Sequence, residues 1–434
     1  MKFYSTNNKN NKVSFRTAVL KGIADDGGLF MPAGIPKLSD NFFHNISNLS
    51  FKEIAFHAAK NILKDDLPDE SLKKIIDSAI TFDAPLVKLN DQISVLELFH
   101  GPTLAFKDFG ARFMAEVLSY LIKDEDKEII ILVATSGDTG SAVANGFLNA
   151  DGIKVVLLYP SGRVSKIQEQ QLTTLNQNIT ALEIDGSFDD CQRLVKQAFA
   201  DKELKQHAEL SSANSINIAR LIPQSFYYFN AYARTGNKKL PFYFSVPSGN
   251  FGNLTAGLFA YKMGLPVSKF IAAVNANDVF PKYLESSVYQ PQTSIMTLSN
   301  AMDVGNPSNF ARITDLYNHD HQAIQNDIFS ASYSDIDTIG GMKEVFSKYN
   351  YIIDPHGAVG YLALKKFAEG SKQNDYNGII LETAHPSKFA DLVEKVLNKK
   401  IEIPDTLQAS LIKKKNSIKI SKEYNELKNY ILSI

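Results

Sequence analysis

Short apolar runs alternate with segments of helical spacing from about residue 93 to about residue 404. The run at 129–134 is apolar at every position, as expected for a strand buried on both faces of a parallel sheet. Further strands are predicted at 155–159, 181–184, 242–246, 270–275 and 378–382, and helices at 141–149, 166–174, 189–200 and 253–263. This alternation predicts an α/β fold with parallel sheets, and the length of the chain implies more than one sheet.

The first 92 residues follow a different pattern. Segments 51–63 and 70–82 carry apolar residues at three- and four-residue spacing, which predicts helices, and the polar patch at 7–12 predicts an exposed turn. The predicted organisation is a mainly helical N-terminal region (1–92), a large α/β domain (93–118 and 228–404), a small α/β domain (119–227) and a solvated helical C-terminal tail (405–434).

The composition is that of a globular protein, with 44% hydrophobic and 21% charged residues in a chain of 434, too long for one core. The 46 basic and 47 acidic residues nearly cancel, so we expect neither nucleic acid nor a membrane as partner. No run approaches the ~20 apolar residues that cross a bilayer, and residues 1–13 lack the pattern of a secretory signal. The single cysteine, Cys191, fits a reducing compartment. We expect a cytoplasmic protein with no metal site, in which any anionic ligand is held locally.

Lys107 is the candidate catalytic residue. It lies in the segment His-Gly-Pro-Thr-Leu-Ala-Phe-Lys-Asp-Phe-Gly at 100–110, among apolar and small residues just before an amphipathic helix. Apolar surroundings lower the pKa of a lysine, and a partly neutral amine is the nucleophile that imine chemistry with a carbonyl compound or pyridoxal phosphate requires. The alternative is a structural lysine whose stem packs under Phe106 and Phe109.

A second motif, Val-Pro-Ser-Gly-Asn-Phe-Gly-Asn at 246–253, follows an apolar strand and leads into a helix. Its glycines let successive main-chain N–H groups point inward, and the start of the helix adds partial positive charge, which together suit a phosphate. The motif lacks the ending of an ATP-binding P-loop and the spacing of a dinucleotide fingerprint. The alternative is a tight turn with no ligand.

A third motif, at 134–142, again joins a strand to a helix and is rich in hydroxyl groups. Ser136, Thr139 and Ser141 can cap the helix, or they can form a second anion pocket. Two such turns and one lysine in apolar surroundings suit a phosphorylated cofactor joined to the lysine, with an anionic substrate opposite.

Taken together, these motifs resemble the threonine synthases in their longer bacterial and fungal form. These are pyridoxal-phosphate enzymes of the tryptophan synthase β-subunit-like fold, fold type II. The resemblance covers nearly the whole chain and is weaker at 305–345 and after 404. The stretches that carry it are 14–15, 26–30, 96–110, 135–140, 214–217, 246–253, 298–304 and 382–386.

The resemblance implies two α/β domains with the cofactor between them, and a role for each matching residue. Lys107 would hold pyridoxal 5'-phosphate and act as acid and base, and Thr383 would bind the pyridine nitrogen. Asp138 stands where related enzymes often place an asparagine near the ring hydroxyl, so this carboxylate would need a donor. The phosphate would be held by Ser248, Gly249, Asn250, Phe251, Gly252 and Asn253, and the substrate by Ser136, Thr139, Asn214, Ser215 and Arg220.

The activity implied is conversion of O-phospho-L-homoserine and water to L-threonine and phosphate, by γ-elimination and β-hydration. The only partner implied is this small molecule, with the chain a monomer or small homo-oligomer. One alternative is a phospho-lyase or a serine/threonine dehydratase-type enzyme that yields a 2-oxo acid. Another is a homologue without activity that serves as a binding protein; the presence of Lys107, Asn250, Asn253 and Thr383 argues against it.

Overall fold

The computed structural model describes residues 1–123, 128–371 and 373–434, and its strands form three sheets. Two of them are the parallel sheets that the alternating pattern predicts, so the α/β class is confirmed. The third is a small antiparallel sheet near the N-terminus.

The larger sheet has six strands and carries three of the predicted motifs at one edge. Its central strands are apolar and buried, and five strands run parallel while Leu86–Lys88 pairs antiparallel to its neighbour. In spatial order the strands are Ile328–Ser332, Lys269–Val274, Phe242–Pro247, Asn377–Glu382, Ile93–Glu97 and Leu86–Lys88.

The second sheet has five strands, all parallel. Its strand Ile129–Ala134 is buried at every position, which agrees with its unbroken apolar run. In spatial order the strands are Ile418–Ser421, Ile179–Asp185, Ile153–Pro160, Ile129–Ala134 and Glu209–Ser211.

The N-terminal region contains the predicted helices, at Phe51–Leu63 and Asp69–Ala79, and also an antiparallel sheet that we did not predict. This sheet has the spatial order Asn8–Ser14, Lys2–Ser5, Phe30–Pro32. The prediction of a turn over 7–12 was therefore wrong for most of the patch. Its polar side chains point to solvent from an edge strand, where apolar alternation is not required.

The α-helices cover both faces of the parallel sheets and fill the N-terminal region. In chain order they are Phe15–Lys21, Asp40–Asn45, Phe51–Leu63, Asp69–Ala79, Lys107–Ile122, Asp138–Gly146, Lys166–Thr173, Phe188–Ala200, Lys202–His207, Ile218–Leu221, Phe226–Arg234, Gly252–Lys262, Val279–Ser286, Phe310–Leu316, His321–Asp327, Asp335–Tyr349, Pro355–Ser371, Ala390–Leu397, Asp405–Leu411 and Tyr424–Leu432. None of the helices in the described part of the chain is long and apolar enough to cross a membrane.

The C-terminal segment is not the solvated helical tail that the sequence predicts. Strand Ile418–Ser421 pairs in parallel with Ile179–Asp185, and Leu427 and Ile431 of the last helix are fully buried against the five-stranded sheet. The prediction failed because the strand's partner lies far away in the chain, and only pairing with it buries the short apolar pattern.

Candidate active site

Three neighbouring strands of the six-stranded sheet end at the same edge, and a predicted motif follows each of them. Ile93–Glu97 leads to the lysine segment, Phe242–Pro247 to the segment 248–253, and Asn377–Glu382 to Thr383. In open parallel sheets, ligands bind at the carboxyl ends of the strands. The topology therefore brings together motifs that lie up to 276 positions apart in the sequence.

A tight turn presents Lys107 at the first position of helix Lys107–Ile122. Leu104 has a left-handed backbone with φ of 59°. The buried Asp108 carboxylate accepts hydrogen bonds from the Thr103 main-chain N–H (2.9 Å) and hydroxyl (2.5 Å). Burial raises the pKa of Asp108 to about 6, although these hydrogen bonds oppose the rise. Asp108 therefore fixes the turn that precedes the helix.

The same turn is joined to the end of strand Asn377–Glu382. The main-chain N–H of Phe106 donates to the carbonyl of Thr383 at 2.9 Å, and Ala105 forms an antiparallel bridge with Ala384. These bonds set Lys107 beside Thr383, whose side chain is buried and whose hydroxyl has no acceptor or donor among the described residues.

Lys107 is partly accessible, as a residue that must meet a ligand has to be, while most of its neighbours in the chain are buried. Burial lowers the pKa of its amine; the carboxylate of Asp138 opposes this, and the cations Lys388 and Arg220 lower the pKa further. Its Nζ lies 5.9 Å from the centroid of the Phe106 ring. An amine with a lowered pKa is the nucleophile that the sequence predicts here.

The segment 248–253 curls around the start of helix Gly252–Lys262. Phe251 holds a left-handed backbone with φ of 58°, and its buried ring packs on Phe280. Asn253 donates from Nδ2 to the Pro247 carbonyl at 2.8 Å and accepts from the Ser248 hydroxyl at 3.2 Å. Within the described residues, the main-chain N–H groups of positions 249–253 have no acceptor. Five free donors at a helix N-terminus fit a phosphate group.

Asn250 connects this segment to residues 214–217, which we call the substrate loop. Its Nδ2 donates to the Ser215 hydroxyl at 2.6 Å, and its carbonyl accepts from Asn309 Nδ2 at 3.0 Å. On the other side, a Cβ added to Gly249 would lie 2.7 Å from the Cα of Met302. Only glycine allows this approach, so the segment is held between two other motifs of the sequence.

The turn at 135–140 is capped by Thr135, which we did not single out. Its Oγ1 accepts from the N–H groups of Gly137 (3.0 Å) and Gly140 (2.8 Å). Ser141 donates to the Gly137 carbonyl at 3.1 Å, so it serves the turn. The hydroxyls of Ser136, which is exposed, and Thr139 make no hydrogen bond to another described residue. Both are therefore free for a ligand.

Asp138 has the donor that the sequence analysis required. Its Oδ1 lies 2.7 Å from Lys388 Nζ and accepts from Gln168 Nε2 at 3.0 Å. Burial alone raises the pKa of Asp138, but Lys388 and Lys107 outweigh burial, so the pKa lies well below its ordinary value. Asp138 is a buried carboxylate at the lysine site.

Arg220 and Asn214 both have unused hydrogen-bonding atoms. Arg220 is buried and donates from Nη1 to the Ala213 carbonyl at 2.6 Å, while its Nε is buried with no acceptor in the described chain. Burial lowers the pKa of Arg220 to about 10, which Asp108 partly opposes. Oδ1 of Asn214 is likewise buried without a donor. Unpaired polar atoms of this kind indicate a ligand or an ordered water.

Sequence reasoning missed two buried cations. Lys388 follows the motif at 382–386 by two residues. It is a lysine in apolar surroundings, which is the same signal that pointed to Lys107. Arg312 donates to the carbonyls of Phe30, Ser215 and Ile216 and to Oδ1 of Asn309. It positions the substrate loop, but its residue type alone gives no sign of this.

Two histidines lie next to the lysine and threonine motifs, and both have structural partners. His100 Nε2 lies 2.7 Å from Glu97 Oε2 near the surface. His385 Nδ1 accepts from the main-chain N–H of Ser387 at 3.1 Å and so caps the short helix Pro386–Phe389, which carries Lys388. Burial lowers the pKa of His385.

Comparison with protein families defines the class. Residues 82–381 match the model described as pyridoxal-phosphate dependent enzyme, so the chain belongs to that class. Residues 2–80 match the model of the threonine synthase N terminus, and residues 357–431 match that of the threonine synthase C-terminal part. The chain belongs to the threonine synthase family.

Individual relatives agree over the full length. The threonine synthase of Haemophilus influenzae is 43% identical, with 100% of both chains covered. The crystal structure of threonine synthase from Escherichia coli has a TM-score of 0.93 at 40% identity and covers 100% of both chains. The structure of PLP-bound threonine synthase from Brucella melitensis has a TM-score of 0.93 at 32% identity, covering 100% of this chain and 99% of that one.

Proposed function

We propose that this chain converts O-phospho-L-homoserine and water to L-threonine and phosphate. One observation carries the proposal. A lysine with a lowered pKa lies beside Thr383, at the same edge of the six-stranded sheet as the turn 248–253, whose free N–H groups suit a phosphate. Membership of the threonine synthase family supports the choice of reaction.

Pyridoxal 5'-phosphate fits the residues present. The free N–H groups of 249–253 suit its phosphate, the unpaired hydroxyl of Thr383 suits its ring nitrogen, and the amine of Lys107 suits its aldehyde. When bound, this cofactor supplies an electron sink for charge that develops on the substrate carbons. A neutral hydroxyl at the ring nitrogen limits that charge and favours elimination over transamination.

The protein groups bind, orient and move protons. Lys107 Nζ takes and returns the protons of the substrate carbons, because it is the amine with a lowered pKa in the site. Ser136, Thr139, Asn214, Ser215 and Arg220 bind the carboxylate and phosphate of the substrate. Ser215 is placed for this by Asn250, and Arg220 offers its unpaired Nε.

A product assay tests the reaction. With phosphohomoserine as substrate, we expect the purified protein to release threonine and phosphate in equal amounts. Formation of 2-oxobutyrate instead of threonine would indicate the dehydratase-type or phospho-lyase alternative. A colourless protein with neither product would indicate a binding protein.

The substitution Arg220→Lys tests the substrate site. We expect KM for phosphohomoserine to rise about tenfold or more, because an ammonium replaces a fork that can bind two oxygens. The visible absorption of the bound cofactor should stay unchanged. Arg234→Lys, an exposed arginine at the end of helix Phe226–Arg234, is the control and should leave KM unchanged. Unaltered KM in Arg220→Lys would remove this residue from the substrate site.

We further propose that the strands of the two parallel sheets belong to separate domains, with segments 93–118 and 228–404 in the large one and 119–227 in the small one. Strand Leu86–Lys88, which lies in the predicted N-terminal region, joins the large one, because it pairs with Ile93–Glu97. The segment 405–434 joins the small one, because its strand pairs there. We also propose a cytoplasmic enzyme that acts on a small molecule and is a monomer or small homo-oligomer; the near-zero net charge gives no reason to expect nucleic acid or a membrane as partner. Sedimentation of the purified protein measures the oligomeric state.

A further inference from the structure

The ion pair between Asp138 and Lys388 connects the two parallel sheets within the site. Asp138 begins the helix that follows strand Ile129–Ala134 of the five-stranded sheet, and Lys388 lies just after strand Asn377–Glu382 of the six-stranded sheet. Their atoms are 2.7 Å apart, with 4% and 0% of the side-chain surface exposed, respectively. Such a pair is only tolerable in the interior when both groups have further partners.

Both groups do have further partners. Lys388 Nζ also donates to the Thr103 carbonyl at 3.0 Å, and that carbonyl accepts a second bond from Gln171 Nε2 at 3.3 Å. Asp138 is bound by Gln168 from the same helix as Gln171. The pair is therefore fixed from both sheets and from the turn that presents the reactive lysine.

Three charged groups face the amine of Lys107, and a fourth acts on two of them. Asp138 attracts the proton of Lys107, while Lys388 and Arg220 repel it. Asp108 interacts with both Lys388 and Arg220. Asp138 is the only anion of the three. If its carboxylate pairs with Lys388, Lys107 is left as a free amine; if it pairs with Lys107, that amine stays protonated.

We propose that Lys388 is a positioning residue: its ammonium binds the Asp138 carboxylate and thereby keeps that carboxylate from pairing with the amine of Lys107. The consequence for catalysis rests on the proposed role of Lys107, whereas the charge competition itself does not. Lys388 and Lys107 are the two cations that lower the pKa of Asp138, so without Lys388 the carboxylate acts on Lys107 alone, which then stays protonated and loses its nucleophilic form.

Competitive acetylation of the full-length chain, freed of cofactor, measures the proposal directly. The rate at which acetic anhydride labels Lys107 is followed against pH by mass spectrometry of its peptide, and this needs no turnover. In Lys388→Met, we expect the pH midpoint of labelling to move up by about 1 to 3 pH units. In Asp138→Asn, it should move down, because the one attracting anion is gone.

The double variant distinguishes charge competition from a structural effect of the substitution. Lys388→Met combined with Asp138→Asn removes one charge that raises and one that lowers the pKa of Lys107, so the midpoint should return to within about half a pH unit of the unaltered protein. We expect this variant to fold even if Lys388→Met alone does not, because removing both members of a buried ion pair leaves no unpaired charge in the interior. Lys388→Arg keeps the charge and should restore most of the original midpoint.

The control applies the same substitution to an exposed pair. Lys400 lies 2.6 Å from Glu394 and is 92% exposed, so Lys400→Met should not move the Lys107 midpoint. An unchanged midpoint in Lys388→Met, or a double variant that behaves like Lys388→Met, would overturn the proposal. Turnover retained in Lys107→Ala would instead contradict the role of Lys107, which is a separate result.

Discussion

The variant Lys107→Ala is expected to lose turnover by at least about 10²- to 10⁴-fold, together with the visible absorption of the lysine-bound cofactor. No other described lysine combines a place at this sheet edge with an amine free of hydrogen bonds to protein. Lys388, the nearest candidate, is bound by Asp138 and Thr103. Steady-state assay with phosphohomoserine and the absorption spectrum of the same preparation measure both effects.

The melting temperature shows whether this variant has lost its chemistry or its fold. Because the pKa of Lys107 is lowered, the folded state disfavours its charged form at neutral pH, and this cost disappears when the amine is removed. The melting temperature of cofactor-free Lys107→Ala should therefore not fall below that of the cofactor-free unaltered protein, a comparison that leaves out the stabilisation by bound cofactor. Lys123→Ala, an exposed lysine at the other end of the same helix, is the control and should keep full activity. Turnover retained in Lys107→Ala would refute the assignment.

The variant Gly249→Ala is expected to weaken cofactor binding about ten- to hundredfold. Its added Cβ would lie 2.7 Å from the Cα of Met302 and 3.1 Å from its carbonyl carbon, so main chain must move. The movement displaces the N–H groups of 249–253, and each lost hydrogen bond to a charged group costs about 1.5–3 kcal/mol. Titration of the cofactor-free chain with pyridoxal phosphate, followed by absorbance, gives the dissociation constant.

A matched glycine controls for the substitution itself. Gly236 is exposed in the connection before strand Phe242–Pro247, and a Cβ there meets no described atom within 4 Å. Gly236→Ala should leave the dissociation constant unchanged. If Gly249→Ala bound the cofactor as tightly as the unaltered protein, segment 248–253 would not be the phosphate site.

The elements predicted best from the sequence are those whose pattern is set by local burial. The strand at 129–134 was found at its predicted bounds because a strand buried on both faces must be apolar throughout. Strands Asn8–Ser14 and Ile418–Ser421 were missed because they lie at sheet edges and are largely exposed. Their pairing depends on partners elsewhere in the chain, which a local pattern does not record.

The candidate site divides in the same way. Lys107 and the turn at 248–253 were recognised because a lysine among apolar residues and paired glycines before a helix are local signals. The cap made by Thr135, rather than by its hydroxyl-bearing neighbours, depends on exact geometry. The partner of Asp138 could not be found from a local pattern, because three strands of the five-stranded sheet and four of the six-stranded sheet lie between Asp138 and Lys388 in the sequence.

Strand Ile418–Ser421 has a consequence for biogenesis. Its partner, Ile179–Asp185, is synthesised long before it. During translation, Ile179–Asp185 therefore has an unpaired edge while residues 186–417 are added. An unpaired edge of this kind invites pairing with other nascent chains. Shortening the protein by its last seventeen residues would make that transient hazard permanent.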